Sequence, residues 1–145
     1  MQQLILATDG SEGAMRALTF AAQLAKAFGA ELCLVNVAHD MGLGYAELEQ
    51  FSRAENITLH EALSAQSDRI LAAALTRAQQ LGVTGLRTEA AIGDPAQEIL
   101  AIAEREDTDL LVVGKRGWGT LRGMLLGSVS QKLVSLARCP VIVVP

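Results

Sequence analysis

The sequence is poor in aromatic residues and in cysteine. Only 3% of its 145 residues are aromatic although 50% are hydrophobic, so the core must be aliphatic, built from Leu, Val, Ile and Ala. Its two cysteines, Cys33 and Cys139, lie in or beside apolar runs, without a C-x-x-C spacing or a nearby cluster of ligand-type residues. We therefore interpret both as reduced core residues of a cytoplasmic protein.

Long hydrophobic runs are also missing. No apolar stretch approaches the roughly 18 residues of a membrane span. The N-terminal segment lacks the basic region of a signal peptide, and Asp9 interrupts its apolar run. The formal net charge of -4 argues against nucleic acid or an anionic membrane as the main partner. We expect a cytoplasmic protein without membrane insertion.

Short aliphatic runs recur along the chain. They are apolar at nearly every position, which is typical of parallel strands covered on both faces. We predict strands at 4–8, 31–38, 109–114 and 140–144, and a weaker one at 85–92.

Helical patterns separate these strands. We predict helices from Ser11 to Gly29, from near Asn56 to Gly82, from a cap at Asp94 with Pro95 in the first position, and over 127–139. The alternation predicts a single α/β domain over residues 1–145, with an open parallel sheet and helices on both faces. Residues 39–55 have no clear periodicity, and we interpret them as a functional loop or lid.

The segment 112–134 passes from strand to helix through a loop that is rich in glycine and in cations. The loop contains Gly114, Gly117, Gly119, Gly123 and Gly127, together with Lys115, Arg116 and Arg122. Ligands of open parallel sheets bind beyond the carboxyl ends of the strands, and a helix N-terminus favours an anion. Glycines allow the backbone to approach phosphate closely and to adopt positive φ. The loop therefore predicts an anion site, and a flexible connector is the alternative.

Other chemistry finds little support in the sequence. Thr120 stands where a Walker motif needs Lys, and Arg122 where a dinucleotide fingerprint needs its third Gly. His39 and His60 have no spaced partner, and no G-x-S-x-G elbow is present. Asp9 is the clear carboxylate at the rim, with a role in holding the turn before the first helix as its alternative. We predict no catalytic residues.

The spacing G-x2-G-x9-G-[ST] resembles the nucleotide-binding signature of the universal stress protein family. It is met by Gly114, Gly117, Gly127 and Ser128. Residues 8–18, 93–100 and 107–144 resemble other segments of that family, so the resemblance covers the whole chain. It implies a Rossmann-like fold with a five-stranded parallel sheet in the order 3-2-1-4-5, the ATP-binding subgroup, and a homodimer.

The same resemblance implies the residues that would bind the nucleoside. Val37 would lie against adenine and read the base edge through its backbone, and Ala7 and Val113 would line that pocket. Asp9 would face the ribose and phosphates, and could hold Mg or Mn through water.

The triphosphate is expected at the glycine signature. Gly117, Gly127 and Ser128 would hold it, and Gly114 would let the chain turn beneath it. The remaining expected contacts are a phosphate contact from Arg116 and N–H and hydroxyl donors from Val129 and Ser130.

These expectations describe an ATP-binding stress-response or regulatory protein whose nucleotide occupancy changes how it meets an unidentified protein partner. One alternative is an ATPase or an enzyme of adenylate chemistry. Its hydrolysis would be slow, because no residue is placed to activate water. Another is a structural dimer that works without nucleotide. The dimer is expected through the apolar edge strand 140–144, with a higher oligomer left open.

Overall fold

The computed structural model describes residues 1–39, 45–117 and 125–145, with only the backbone of Tyr45. Its strands are Gln3–Ala7 (β1), Glu31–Ala38 (β2), Leu86–Ile92 (β3), Leu110–Gly114 (β4) and Val141–Val144 (β5). They form one parallel sheet in the order β3-β2-β1-β4-β5. The predicted fold class and strand order are therefore confirmed.

In the described part of the chain, the helices between the strands are Glu12–Phe28 (α1), Tyr45–Ala54 (α2), Leu59–Gln80 (α3), Pro95–Arg105 (α4) and Ser128–Leu136 (α5). The predicted ends of α1 are confirmed. Ser11 accepts a hydrogen bond from the amide of Ala14, and Gly29 terminates the helix at a φ of 62°. Asp94 caps α4 and Pro95 opens it, as the sequence predicts.

The interpretation of residues 39–55 as irregular is wrong over 45–54, which form α2. Only Leu48 and Ser52 are buried among the α2 side chains described, so the helix shows too little apolar periodicity to be recognised. Contact with α3 stabilises it, since Leu48 belongs to a small cluster with Ala62 and Leu63. Residues 40–44 lie outside the described part of the chain, so the proposed lid stays a prediction.

The second predicted helix also begins later than expected. Asn56 has a φ of 54°, a left-handed conformation that ends α2 and separates it from α3. The side chain of Thr58 then accepts from the amide of Glu61 and caps α3.

The sheet separates two aliphatic cores. Leu4 and Leu6 of β1 pack towards α1 and α3, whereas Ile5 and Ala7 pack into the cluster that holds residues of α4 and α5. Burial raises the pKa of the Cys33 thiol in the second core to about 11. Because successive strand residues face opposite covered sides, β1, β2 and β4 are apolar at nearly every position.

Among the described residues, no helix is both long enough and apolar enough to cross a membrane.

Candidate functional site

A cavity of about 500 Å³ opens at the carboxyl ends of β1, β2 and β4. All eleven residues predicted for the site line it: Ala7, Asp9, Val37, Val113, Gly114, Arg116, Gly117, Gly127, Ser128, Val129 and Ser130. They come from four separate stretches of the sequence, which the parallel topology brings to one edge of the sheet. The volume falls within the range of small-molecule sites.

Close backbone packing fixes the chain as it leaves β4. A Cβ added to Gly114 would lie 3.0 Å from the carbonyl carbon of Gly13, and one added to Gly13 would lie 2.9 Å from the carbonyl oxygen of Arg116. The segment after β4 therefore crosses the first turn of α1 with no room for side chains between them. Two glycines, one on each segment, make this approach possible.

The expectation that the loop glycines adopt positive φ is wrong for the ones described. Gly114, Gly117 and Gly127 are not among the described residues with positive φ, and Gly127 has a φ of -67°. At Gly114 and Gly117 the need for glycine comes instead from close neighbours. A Cβ on Gly117 would collide with Oδ2 of Asp9.

Asp9 holds the turn between β1 and α1 and also lines the cavity. Its Oδ1 accepts from the amide of Ser11 at 2.9 Å, while Ser11 itself caps α1 through the amide of Ala14. The alternative reading of Asp9 as a turn residue therefore has structural support. Its Oδ2 lies near Gly117, so the carboxylate that holds the turn also faces the exit of β4.

The start of α5 differs from the other capped helices. Ser11, Thr58 and Asp94 accept backbone hydrogen bonds at the starts of α1, α3 and α4, but Gly127 offers no side-chain cap at α5. Gly127 instead donates its own amide to the carbonyl of Lys115 at 2.9 Å. The first-turn N–H groups of α5 and the positive end of its dipole are thus presented beside the cavity.

Ser130 does not offer the hydroxyl donor that was expected. Its side chain lies 2.9 Å from the carbonyl oxygen of Lys115 and 3.0 Å from that of Gly127, and the residue is 2% exposed. A hydroxyl has one proton, so backbone oxygens already use this donor. The hydroxyl of Ser130 therefore joins the α5 start to the exit of β4, whereas exposed Ser128 has no such burial.

Several cavity residues escaped prediction. Gln66 and Ile70 enter from α3, four positions apart on one helical face, and Asp94, Pro95 and Ala96 enter at the start of α4. The start of α4 follows the carboxyl end of β3, so topology could have predicted that Asp94, Pro95 and Ala96 lie at the cavity. The α3 residues carry no comparable signal, since only the packing of α3 on the sheet brings them to the cavity.

Charges of both signs surround the cavity. Asp9 and Asp94 contribute carboxylates, and Arg116 and Lys132 contribute cations. His39, which has no spaced partner in the sequence, is half-buried and also lines the cavity.

The described residues do not form a metal site of their own. Across 1–39, 45–117 and 125–145, no three His, Cys, Asp or Glu side chains are grouped as metal ligands. A Mg or Mn ion would have to take most of its oxygen ligands from bound phosphates, as Mg²⁺ commonly does. Asp9 is then the carboxylate to which such an ion could connect through water.

Part of the predicted loop lies outside the described residues. This applies to Gly119, Arg122 and Gly123, and to Trp118, the only tryptophan in the sequence.

Comparison with known proteins agrees with this geometry. The model of the universal stress protein family matches residues 1–145. Universal stress protein YxiE of Bacillus subtilis (strain 168) is 35% identical, over 98% of this chain and 97% of the relative. Among solved structures, universal stress protein UspA from Lactobacillus plantarum has a TM-score of 0.80 at 27% identity, covering 99% of this chain and 97% of its own. A universal stress protein in complex with cAMP has a TM-score of 0.71 at 27% identity, covering 99% of this chain and 96% of its own. The chain belongs to the universal stress protein family.

Proposed function

We propose that this chain is a cytoplasmic ATP-binding regulatory protein of the stress response, whose nucleotide occupancy changes its contact with a protein partner. The observation that carries the proposal is the convergence of all eleven predicted site residues on one cavity. The relative in complex with cAMP supports an adenine nucleotide as the ligand class. A purely structural role would not require a cavity at this edge of the sheet.

We assign the nucleoside to the end of the cavity beside β2. Val37, Ala7 and Val113 supply an apolar surface there, and their side chains all contribute to the core between the sheet and α4–α5. Adenine would stack against this surface, with the backbone of Val37 donating to and accepting from the base edge. Asp9, between this wall and the glycine signature, would face the ribose.

We assign the triphosphate to the other end, at the start of α5. The amides of its first turn, including those of Val129 and Ser130, would donate to phosphate oxygens together with the hydroxyl of Ser128. Arg116 adds a positive charge on the same side of the cavity. A ligand held by both the exit of β4 and the start of α5 would tie these segments together, which is how occupancy would reach a partner.

We also propose a homodimer through β5, one of the two edge strands of the sheet. The amide of Leu111 bonds to the carbonyl of Pro140, and that of Lys115 to the carbonyl of Val144. In a strand, the N–H and C=O of one residue point to one side, and those of the next residue point to the other. Because Pro140 and Val144 face β4, the N–H and C=O of Val143 point away from β4. A second copy can pair with these groups about a two-fold axis.

Light scattering at micromolar concentration tests the dimer. Val143→Pro removes one outward N–H without removing a bond to β4, and should shift the protein towards monomer. A wild-type protein that is already monomeric contradicts the proposal.

Calorimetric titration tests the nucleotide. ATP should bind more tightly than GTP, and mass spectrometry of ligand released from freshly purified protein should identify an adenine nucleotide. Failure of ATP, ADP and cAMP to bind would contradict the proposed function. Recovery of ADP from protein loaded with ATP would favour the alternative of slow hydrolysis.

A further inference from the structure

A buried chain of hydrogen bonds joins α3 to the turn that carries Asp9. Ser67, in the middle of α3, donates its hydroxyl to Oδ1 of Asn36 at 2.5 Å. Asn36, on β2, donates from Nδ2 to the carbonyl oxygen of Thr8 at 2.8 Å. These three residues are 1%, 4% and 5% exposed, respectively. Bulk water therefore competes little for their bonds, and each bond is stronger than it would be at the surface.

Thr8 is held from both ends. It lies one residue beyond the end of β1. Its amide donates to the carbonyl of Val35 at 2.8 Å, and its carbonyl accepts from Nδ2 of Asn36. Its hydroxyl accepts from the amide of Gly10 at 3.2 Å. The orientation of Thr8 sets the direction in which the chain enters Asp9.

The helix α3 also touches this turn directly. Gly10 has a φ of 79°, and a Cβ added there would lie 3.3 Å from Cγ1 of Ile70. Ile70 follows Ser67 by three positions, so both lie on the face of α3 that meets the turn. The turn from Thr8 to Ser11 is thus fixed by α3 at two points, one polar through Asn36 and one apolar.

The buried polar pair of Asn36 and Ser67 replaces what could be an apolar contact. Asn36 lies between Val35 and Val37 on a strand whose other buried side chains are apolar. A buried amide is unfavourable unless it is hydrogen-bonded, and an aliphatic residue would fill the site without needing a partner. What Asn36 and Ser67 add is a fixed position for the carbonyl of Thr8.

We propose that Asn36 and Ser67 are positioning residues of the ATP site, which hold the Asp9 turn in the geometry that receives the nucleotide. This inference rests on the proposed function. Asn36 and Thr8 line the cavity, so the bonded chain lies immediately behind the wall that ATP would contact. Ser67 acts through Asn36, and its effect on binding is indirect.

The experiment compares Ser67→Ala with a matched control, Ser52→Ala. Ser52 lies on α2 and donates its hydroxyl to the carbonyl of Ile57 at 2.5 Å, away from the cavity residues. Each variant loses one largely buried hydrogen bond, so a simple loss of stability affects both. Calorimetric titration with ATP and amide NMR spectra of the nucleotide-free protein are recorded for each.

Ser67→Ala should lower the affinity for ATP by about three- to tenfold, the value of one net hydrogen bond. It should also shift the amide signals of Gly10 and Ser11 before any nucleotide is added. Ser52→Ala should leave both the affinity and these signals as in the wild type. Asn36→Ala, which removes the donor to Thr8 without adding a charge to the cavity, should weaken ATP binding at least as much as Ser67→Ala.

The outcomes separate this inference from the proposed function. A wild-type protein that binds no ATP overturns the proposed function, while the NMR spectra still decide whether Ser67 fixes the turn. Wild-type binding that Ser67→Ala leaves unchanged, or that Ser52→Ala weakens equally, overturns the positioning role alone.

Discussion

At the amino end of the sheet, side chains satisfy the backbone and one another. Oδ2 of Asp109 accepts from the amides of Gln2 and Gln3 at 2.7 and 2.9 Å. Arg87 pairs with Glu31 and also reaches the end of α4. At the carboxyl end, side chains still cap α1 and α4, but Gly127 gives α5 no side-chain cap.

The two ends of the sheet differ in which groups accept hydrogen bonds from the backbone N–H groups. A carboxylate from the same chain occupies the donors at the amino end, so that end contributes stability and leaves little for a ligand. The first-turn amides of α5 lie beside a cavity and need an acceptor from water or from a bound anion. One sheet thus separates a stabilising end from a binding end, and four pairs of variants test that separation.

The largest effect is expected when the arrangement of the amino end is copied at the carboxyl end. Gly127→Asp places a carboxylate over the first-turn amides of α5, as Asp109 does for Gln2 and Gln3. The backbone at Gly127, with a φ of -67° and a ψ of 162°, already has the conformation of a side-chain cap. Calorimetry should show a loss of ATP affinity of about a hundredfold or more, because the carboxylate takes the donors and repels phosphate.

The stability of this variant should not fall in parallel. A side-chain cap in place of glycine stabilises a helix by roughly a few tenths of a kcal/mol, so the melting temperature should hold or rise slightly. Thr58→Asp introduces the same residue at the cap of α3 and should leave binding unchanged. Tight ATP binding by Gly127→Asp would mean that α5 does not receive the phosphates.

Ser128→Ala should have the next largest effect on binding. It removes a hydroxyl that would donate to a charged phosphate, a bond of about 1.5–3 kcal/mol or roughly ten- to a hundredfold in affinity. Ser135→Ala on the same helix is the control, since that exposed hydroxyl bonds to the carbonyl of Gln131. Equal affinities of the two variants in calorimetry would argue against a phosphate contact at Ser128.

Alanine at Gly114 and at Gly85 compares how a glycine at the carboxyl end and one at the amino end of the sheet affect the free energy of unfolding. A Cβ at Gly114 would meet the backbone of Gly13 and Ala14 at 3.0–3.2 Å, while one at Gly85, before β3, would have only ordinary contacts from 3.5 Å outward. Gly114→Ala should destabilise the protein by about 1–3 kcal/mol through overpacking. Gly85→Ala should be neutral or slightly stabilising, since it restricts the unfolded chain. Urea unfolding measures both, and equal midpoints would contradict the close packing.

Most of this architecture was predictable because the strands of a covered parallel sheet are continuous apolar runs, as in 31–38 and 109–114. That the residues at the strand ends would line one cavity was predictable from topology and from the resemblance to the family's glycine signature. What was missed depends on tertiary contacts. Helix α2 buries too little to show a period, and Ile70 reaches the cavity only because α3 packs on Gly10. The hydroxyl of Ser130 bonds to the carbonyl of Lys115 because the exit of β4 lies beside the start of α5, a tertiary contact that no local pattern specifies.

The smallest effect is expected at the amino end, with pH. Hydrogen bonds from the amides of Gln2 and then Gln3 hold the pKa of Asp109 below its ordinary value of 3.8. A carboxyl group whose pKa is lowered by folding contributes stability that is fully present above the unfolded pKa and is lost as pH falls through the folded pKa. Asp109→Asn should therefore lower the melting temperature at pH 7, and its difference from the wild type should narrow below about pH 4. Asp68→Asn, at an exposed carboxylate on α3, provides the control. A difference between Asp109→Asn and the wild type that stays constant into strong acid would show that the ionised carboxylate does not hold the amino end, and the contrast between the two ends would then rest on the carboxyl end alone.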